Sequence, residues 1–126
     1  MRRKRILIIE DNVDILDLYK IYFSQANYEV HTSENGLIGI VDIVEMRPDI
    51  ILLDIMMPQM NGFEVLESIK DLSTIDIPIV VCSNLWQQSD IDKSIKLWAD
   101  LYITKSDYEV EEIVGKVDEI THKEES

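Results

Sequence analysis

The sequence is poor in the residues that divide a chain or cross-link it. Its one cysteine, Cys82, excludes a disulfide within the chain, which is compatible with a cytosolic protein. Three prolines and four glycines are spread over 126 residues, without repeats, low-complexity stretches or flexible linkers. We therefore expect one domain over residues 1–121, large enough for a sheet covered by helices on both faces, and a polar tail at 122–126.

Long apolar runs are also missing. No run approaches the roughly 20 residues that span a bilayer. Only four apolar residues follow the basic N-terminal run, too few for the h-region of a signal peptide, about 7–15 residues. The sequence therefore predicts a cytoplasmic protein that has no membrane partner.

Positive charge is scarce. The chain has 12 Lys and Arg against 25 Asp and Glu, a formal net charge of −13, so direct binding to nucleic acid is not expected. Its two histidines, His31 and His122, have no metal-ligand spacing around them. Apolar residues nevertheless make up 46% of the chain, which is typical of a packed core.

Short apolar runs alternate with helical periodicity along the whole chain. The runs predict strands near residues 5–10, 28–33, 49–54, 78–82 and 100–104. The predicted buried faces of five helices are Leu16-Tyr19-Phe23, Leu37-Ile40-Val41-Val44, Phe63-Leu66-Ile69, Ile91-Ile95-Trp98 and Val110-Ile113-Val114-Val117. Ser106 and Glu109 have the spacing of a capping box for the last helix. Five βα units predict a parallel sheet with helices on both faces.

Acidic residues follow two of the predicted strands. Asp54 ends the run at 50–53, and Glu10 and Asp11 follow the run at 5–9. Ligands of open α/β sheets bind beyond the carboxyl ends of the strands. If the two strands are neighbours, three carboxylates converge there, and their mutual repulsion favours a divalent cation. The pattern therefore indicates a phosphorylation switch.

Several polar residues at strand ends, taken together, carry a family resemblance. They are Glu10-Asp11, Asp54, Ser83 and Lys105, with Met57-Pro58 and Asn61-Gly62 after Asp54. In this order and at these separations, they resemble the receiver domain of bacterial two-component response regulators, as in chemotaxis receivers. The resemblance covers essentially the whole chain. It implies an α/β fold with a doubly wound, flavodoxin-like five-stranded parallel sheet in the order 2-1-3-4-5.

The resemblance also implies a role for each acidic residue. Asp54 would accept a phosphoryl group from a histidine kinase or a histidine phosphotransfer protein. Asp11, Asp54 and the Met56 backbone carbonyl would bind Mg²⁺, or Mn²⁺ as an alternative, and Glu10 would assist through water.

Three further residues match the phosphate-binding and switch positions of the family. Lys105 and the Ser83 hydroxyl would each contact a phosphoryl oxygen. Movement of Ser83 would be coupled to Tyr102, and this switch would change binding to an unknown downstream protein target.

The chain departs from the family pattern at three positions. Ser106 follows Lys105 where Pro is usual, so we expect a trans peptide between them. Asn84 occupies a position that is usually small. Trp98 replaces a common Gly, and we expect it to pack in the core by extending the Ile91-Ile95 face.

We therefore expect a stand-alone receiver, not an enzyme in the ordinary sense, that promotes its own phosphorylation and loses the phosphate slowly. One alternative is the receiver half of a larger regulator. Another is an aspartyl-nucleophile phosphatase, although Met56 stands where such enzymes carry a general acid. A degenerate receiver is disfavoured by the intact set Asp11, Asp54, Ser83 and Lys105.

Overall fold

A computed structural model describes residues 2–72, 75–85 and 87–125 and contains one parallel sheet. Its strands are β1 (Lys4–Ile9), β2 (Tyr28–Ser33), β3 (Ile50–Leu53), β4 (Ile79–Ser83) and β5 (Leu101–Thr104). They are arranged in the order β2-β1-β3-β4-β5. The predicted fold class, strand order and approximate strand positions are thus confirmed.

In the described part of the chain, five α-helices connect and follow the strands. They are α1 (Val13–Gln25), α2 (Gly36–Met46), α3 (Gly62–Asp71), α4 (Gln88–Lys96) and α5 (Val110–Glu125), with a short 3₁₀ helix at Lys105–Asp107. α1 and α5 cover one face of the sheet, and α2 and α3 cover the other. α5 includes residues 122–125 of the segment expected to be a tail.

The central strands have continuously apolar sequences because both faces of the sheet are buried there. In β1, Ile6 and Ile8 pack under α1 and α5, whereas Leu7 and Ile9 pack under α2 and α3. Cys82 is a buried core residue as expected, and its Sγ lies 3.6 Å from the Tyr19 hydroxyl. The strands therefore form a rigid platform whose ends can hold a site.

The predicted buried face of α2 is wrong at three of its four positions, since only Ile40 packs against the core. Leu37, Val41 and Val44 are exposed, and the helix instead turns Gly36, Gly39 and Ile43 towards the sheet. A Cβ on Gly39 would lie 2.7 Å from Ile9 Cδ1, so the helix approaches the sheet through its smallest residues. Periodicity of large apolar side chains could not reveal this because α2 is apolar almost all round.

The predicted buried face of α4, Ile91-Ile95-Trp98, is also wrong. Ile95 and Trp98 are exposed, and the one fully buried side chain among the described residues of this helix is Ser94. α4 ends at Lys96, so Trp98 does not belong to the helix and has a left-handed backbone with φ = 72°. The Lys70 ammonium lies 5.3 Å from the centre of its ring.

The segment between β5 and α5 differs in one respect from its prediction. The Lys105–Ser106 peptide is trans, as expected. Ser106 does not cap α5, however, because Lys105–Asp107 form the 3₁₀ helix and α5 begins at Val110. The Glu109 backbone N–H donates to the Glu112 carboxylate at 3.0 Å, which supplies the cap contact one turn later.

Within the described ranges, no helix combines the length and the apolar character needed to cross a membrane.

Candidate functional site

The sheet register brings the two acidic strand ends together. β1 pairs with β3 so that Ile9 lies opposite Leu53, which makes Glu10 and Asp54 the next residues on adjacent strands. The Asp54 backbone N–H donates to the Ile9 carbonyl at 3.0 Å. The neighbour relation that the sequence left open is therefore present.

Three carboxylates form a cluster at this edge. Glu10, Asp11 and Asp54 each offer an oxygen, and these oxygens lie within 4.8 Å of one another. Glu10 and Asp54 are buried, whereas Asp11 is exposed. Burial raises the pKa of Glu10, and desolvation together with the Glu10 carboxylate raises the pKa of Asp11.

Lys105 supplies the positive charge of the cluster. Its ammonium hydrogen-bonds the Glu10 carboxylate and lies 3.6 Å from Asp54 Oδ2. Burial by itself would lower the lysine pKa, but the bond to Glu10 and the charge of Asp54 outweigh it, so the pKa of Lys105 is raised. Lys105 therefore stays charged at neutral pH.

Backbone donors orient the two buried carboxylates. The Asn12 N–H donates to Glu10 Oε2 at 3.2 Å, and the Met56 N–H donates to Asp54 Oδ1 at 3.3 Å. The loop after Asp54 returns so closely that a Cβ on Gly62 would lie 2.4 Å from the Asp54 carbonyl oxygen. A glycine at position 62 is thus required by the packing of this loop.

The cluster opens into a cleft of about 220 Å³. Its lining residues are Glu10, Asp11, Asn12, Ile15, Asp54, Met56, Asn84 and Lys105. Three carboxylates against one ammonium leave an excess of negative charge, and all the candidate metal donors are oxygens. A hard divalent cation such as Mg²⁺ fits this donor set better than a soft metal.

Ser83 and Tyr102 lie beside the acidic cleft, where each makes a hydrogen bond to the backbone of Leu85. Ser83 is fully buried at the end of β4, and its Oγ accepts from the Leu85 N–H at 3.4 Å. The Tyr102 hydroxyl donates to the Leu85 carbonyl at 2.6 Å. The two predicted switch residues are therefore linked by the backbone of one residue, and neither of them is among the lining residues of the acidic cleft.

Asn12 is a site residue that sequence reasoning missed. Besides donating its N–H to Glu10, it caps α1 by accepting the Ile15 N–H at 3.1 Å. An Asn placed just before a helical pattern is a recognisable N-cap, and that signal could have placed the start of α1 beside the acidic cluster.

Comparison with known families and sequences gives consistent results. The family described as the response regulator receiver domain matches residues 6–118. The DNA-binding dual master transcriptional regulator RpaA of Synechocystis is 38% identical over 114 residues, which cover 90% of this chain and 47% of RpaA. Response regulator SaeR of Staphylococcus epidermidis is 34% identical over 100 residues, which cover 79% of this chain and 43% of SaeR. The chain thus spans about half the length of the curated relatives it matches.

Solved structures agree with the fold. A CheY-like response regulator receiver domain from Methanospirillum hungatei superposes with a TM-score of 0.90 at 28% identity, covering 98% of this chain and 97% of that one. The phosphorylated cyanobacterial phytochrome response regulator RcpA gives a TM-score of 0.79 at 32% identity, covering 94% and 91%.

Proposed function

Because the chain belongs to the response regulator receiver domain family, we propose that Asp54 is the residue on which it accepts a phosphoryl group. The observation that carries this proposal is the position of Asp54. Its buried carboxylate lies at the end of β3, 3.6 Å from the Lys105 ammonium and beside Glu10 and Asp11.

The donor is a phosphohistidine on a histidine kinase or a histidine phosphotransfer protein. A carboxylate oxygen of Asp54 forms the bond to phosphorus as the bond from phosphorus to the histidine nitrogen breaks, and the nitrogen keeps the bonding electrons. The product is an acyl phosphate, as in other aspartyl-phosphate proteins. Transfer of this kind depends mainly on positioning and on neutralisation of charge.

Residues around Asp54 supply the positioning and part of the charge. The Met56 N–H fixes one carboxylate oxygen, and Lys105 lies beside the other. Mg²⁺, with Mn²⁺ as the alternative, would be held by Glu10, Asp11, Asp54 and the Met56 carbonyl. When bound, it neutralises the negative charge of the transferring group. Lys105 then offers its charge to a phosphoryl oxygen.

The Leu85 backbone gives Ser83 and Tyr102 a physical basis for acting as a switch. If the Ser83 hydroxyl turns to donate to a phosphoryl oxygen, the geometry of its bond from the Leu85 N–H changes. A rearrangement of that turn moves the carbonyl that accepts from Tyr102. Phosphorylation would thereby alter the surface around Tyr102, where a downstream protein target could read it.

The protein is, on this proposal, a phosphoacceptor that assists its own phosphorylation rather than a turnover enzyme. RpaA is named as a DNA-binding regulator, but the matched part covers only 47% of it. We therefore do not assign DNA binding to this domain. Its acidic net charge of −13 disfavours direct contact with nucleic acid.

The test is incubation with acetyl phosphate and Mg²⁺, followed by intact mass. The parent should gain one phosphoryl group, and Asp54→Asn should gain none. Asp71→Asn, which removes an exposed carboxylate on α3, is the matched control and should behave as the parent. EDTA should abolish the gain. Phosphate appearing on Asp54→Asn, or its failure to appear on the parent, would refute the assignment.

A further inference from the structure

We infer that the outer face of α2 is a contact surface for a second copy of this chain, with the two α2 helices packed antiparallel in a transient dimer. The exposed aliphatic side chains of this helix are Leu37 (66% exposed), Ile38 (47%), Val41 (47%) and Val44 (45%). The one other exposed residue of α2 is Glu45. Single exposed aliphatic residues are common, but four together on a three-turn helix form a continuous patch.

The other helix surfaces do not share this character. The exposed residues of α3 are mainly charged, among them Glu64, Glu67, Lys70 and Asp71. α1 also exposes three aliphatic side chains, Val13, Leu18 and Ile21, but exposed charged residues, among them Asp14, Asp17 and Lys20, lie between them. Among the described side chains, α4 exposes one large apolar residue, Ile95, and α5 exposes none, so a nearly all-aliphatic exposed face is found on α2 alone.

The spacing of the patch is suited to pairing with itself. Leu37, Val41 and Val44 follow one another at intervals of four and three residues, the spacing of a single helical stripe. In an antiparallel pair related by a two-fold axis near Val41, that residue meets its own copy. Leu37 then meets Val44 of the second copy, so one patch serves both chains, as a two-fold interface requires.

The charged residues at the two ends of the patch also favour the antiparallel arrangement. Glu34 precedes α2, and Arg47 is its left-handed C-cap; both are exposed. The pairs Glu34/Arg47 and Leu37/Val44 are centred on the same point of the helix, between Ile40 and Val41. Antiparallel packing therefore places Glu34 beside Arg47 of the second copy at both ends, whereas parallel packing would place like charges together.

The size of the patch limits the strength of the pair. Four half-exposed aliphatic side chains bury roughly 300–400 Å² per copy, against about 800 Å² per partner in a standard stable interface. Each copy also carries a net charge of −13, which opposes association until salt screens it. The dimer should therefore form at high protein concentration and moderate salt.

Sedimentation velocity over a wide concentration range, in about 0.3 M salt to shorten the screening length, tests the contact. The parent should show weak reversible dimerisation, and Val41→Lys should weaken it at least tenfold. Ile21→Lys, at a 53% exposed site on α1, is the matched control and should leave it unchanged. A parent that stays monomeric up to millimolar concentration, even if it captures a basic amphipathic peptide, would overturn the inference.

Two further variants test the antiparallel arrangement. Val41→Cys should form an intermolecular disulfide under mild oxidation, whereas Ile21→Cys should not; buried Cys82 is common to both. Glu34→Lys and Arg47→Glu should each weaken the dimer, and the double variant should recover most of the loss. If the double variant is no better than the single ones, the helices do not pair antiparallel.

Discussion

At the residue scale, the family resemblance assigns two apolar residues, Met56 and Leu85, to the rim of the proposed phosphorylation site. Met56 is exposed at the cleft, and Leu85 lies with it along a neighbouring groove. Hydrolysis of an aspartyl phosphate needs a water in line with the Asp54–phosphorus bond, and neither side chain can orient one. Asn84 also lines the cleft, and its amide carries a polar group that neither Met56 nor Leu85 has.

We therefore expect the aspartyl phosphate on Asp54 to hydrolyse slowly compared with other members of the family. The double variant Met56→Asn, Leu85→Glu should lose phosphate about tenfold faster, a change that corresponds to only about 1.4 kcal/mol of barrier. The measurement is decay of the phosphorylated mass after the donor is removed, with Leu18→Asn on α1 as a control. Equal lifetimes for the parent and the double variant would mean that the rim does not set the rate. Asn84→Ala, measured alongside, reports whether its amide holds the water.

Trp98 is an exposed residue whose backbone conformation favours glycine. At φ = 72°, a residue with a Cβ is strained by about 1–2 kcal/mol. We expect Trp98→Gly to be more stable than Trp98→Ala by about 1 kcal/mol in urea unfolding.

The same pair of substitutions at Ile95 is the matched control for Trp98. Ile95 lies within α4, where glycine costs about 0.5–1 kcal/mol relative to alanine. The order should therefore reverse, with Ile95→Ala the more stable. The same order at both positions would contradict the assigned backbone of Trp98.

At the scale of elements, the loop that joins β3 to α3 is held in place by close backbone packing. Gly62 begins α3, and a Cβ there would meet the Asp54 carbonyl oxygen at 2.4 Å and Ile55 Cα at 2.7 Å. Because both contacts are backbone atoms, neither can move aside cheaply. The position of this helix end is thus coupled to the position of Asp54.

Gly62→Ala should therefore lower stability by about 1–3 kcal/mol, the usual cost of overpacking, and should slow phosphorylation by displacing Asp54. Gly115→Ala is the natural control, since a Cβ there meets nothing within 4 Å in α5. That change should raise stability by roughly 0.5–1 kcal/mol because glycine weakens a helix interior. Denaturant unfolding and phosphorylation rates of both variants check the prediction; a tolerated Gly62→Ala would contradict the close approach.

α2 shows why elements can be predicted more reliably than their orientation. Its helical character follows from the sequence between Asn35 and Arg47, and Asn35 caps it by accepting the Ile38 N–H at 2.9 Å. The choice of face depends on Gly36 and Gly39, which let the helix approach the sheet. Which of several apolar faces is buried is decided by the shape of the partner surface, and the sequence of the helix alone does not contain that shape.

At the scale of the whole molecule, the net charge of −13 and the acidic cluster affect the stability of the folded protein in two ways that can be measured separately. NaCl should raise the melting temperature of the parent and of Asp11→Asn alike, because it screens the repulsion among the many negative charges of the chain. Mg²⁺ at constant ionic strength should stabilise the parent further, by about 1.4 kcal/mol at ten times its Kd. Asp11→Asn should lose most of that second effect. An equal Mg²⁺ response in both proteins would indicate screening without a site.

The patterns of the sequence predicted the alternation of strands and helices and the identity of the acidic cluster, whereas the strand order came from the family resemblance. The alternation of apolar runs and helical periodicity predicted all five strands, because hydrophobic burial imposes a local period on the chain. Strand-end positions singled out Glu10, Asp11, Asp54 and Lys105, which the structure brings together.

The tertiary structure decided the features that depend on two distant segments meeting. It placed Leu37, Val41 and Val44 outside and Trp98 on the surface, moved the cap of α5 from Ser106 to Glu109, and joined Ser83 to Tyr102 through Leu85. Local patterns record which residues prefer burial or a helix end. They do not record the shapes and distances that arise only when separate elements pack together, and those shapes determine which face is buried and which groups touch.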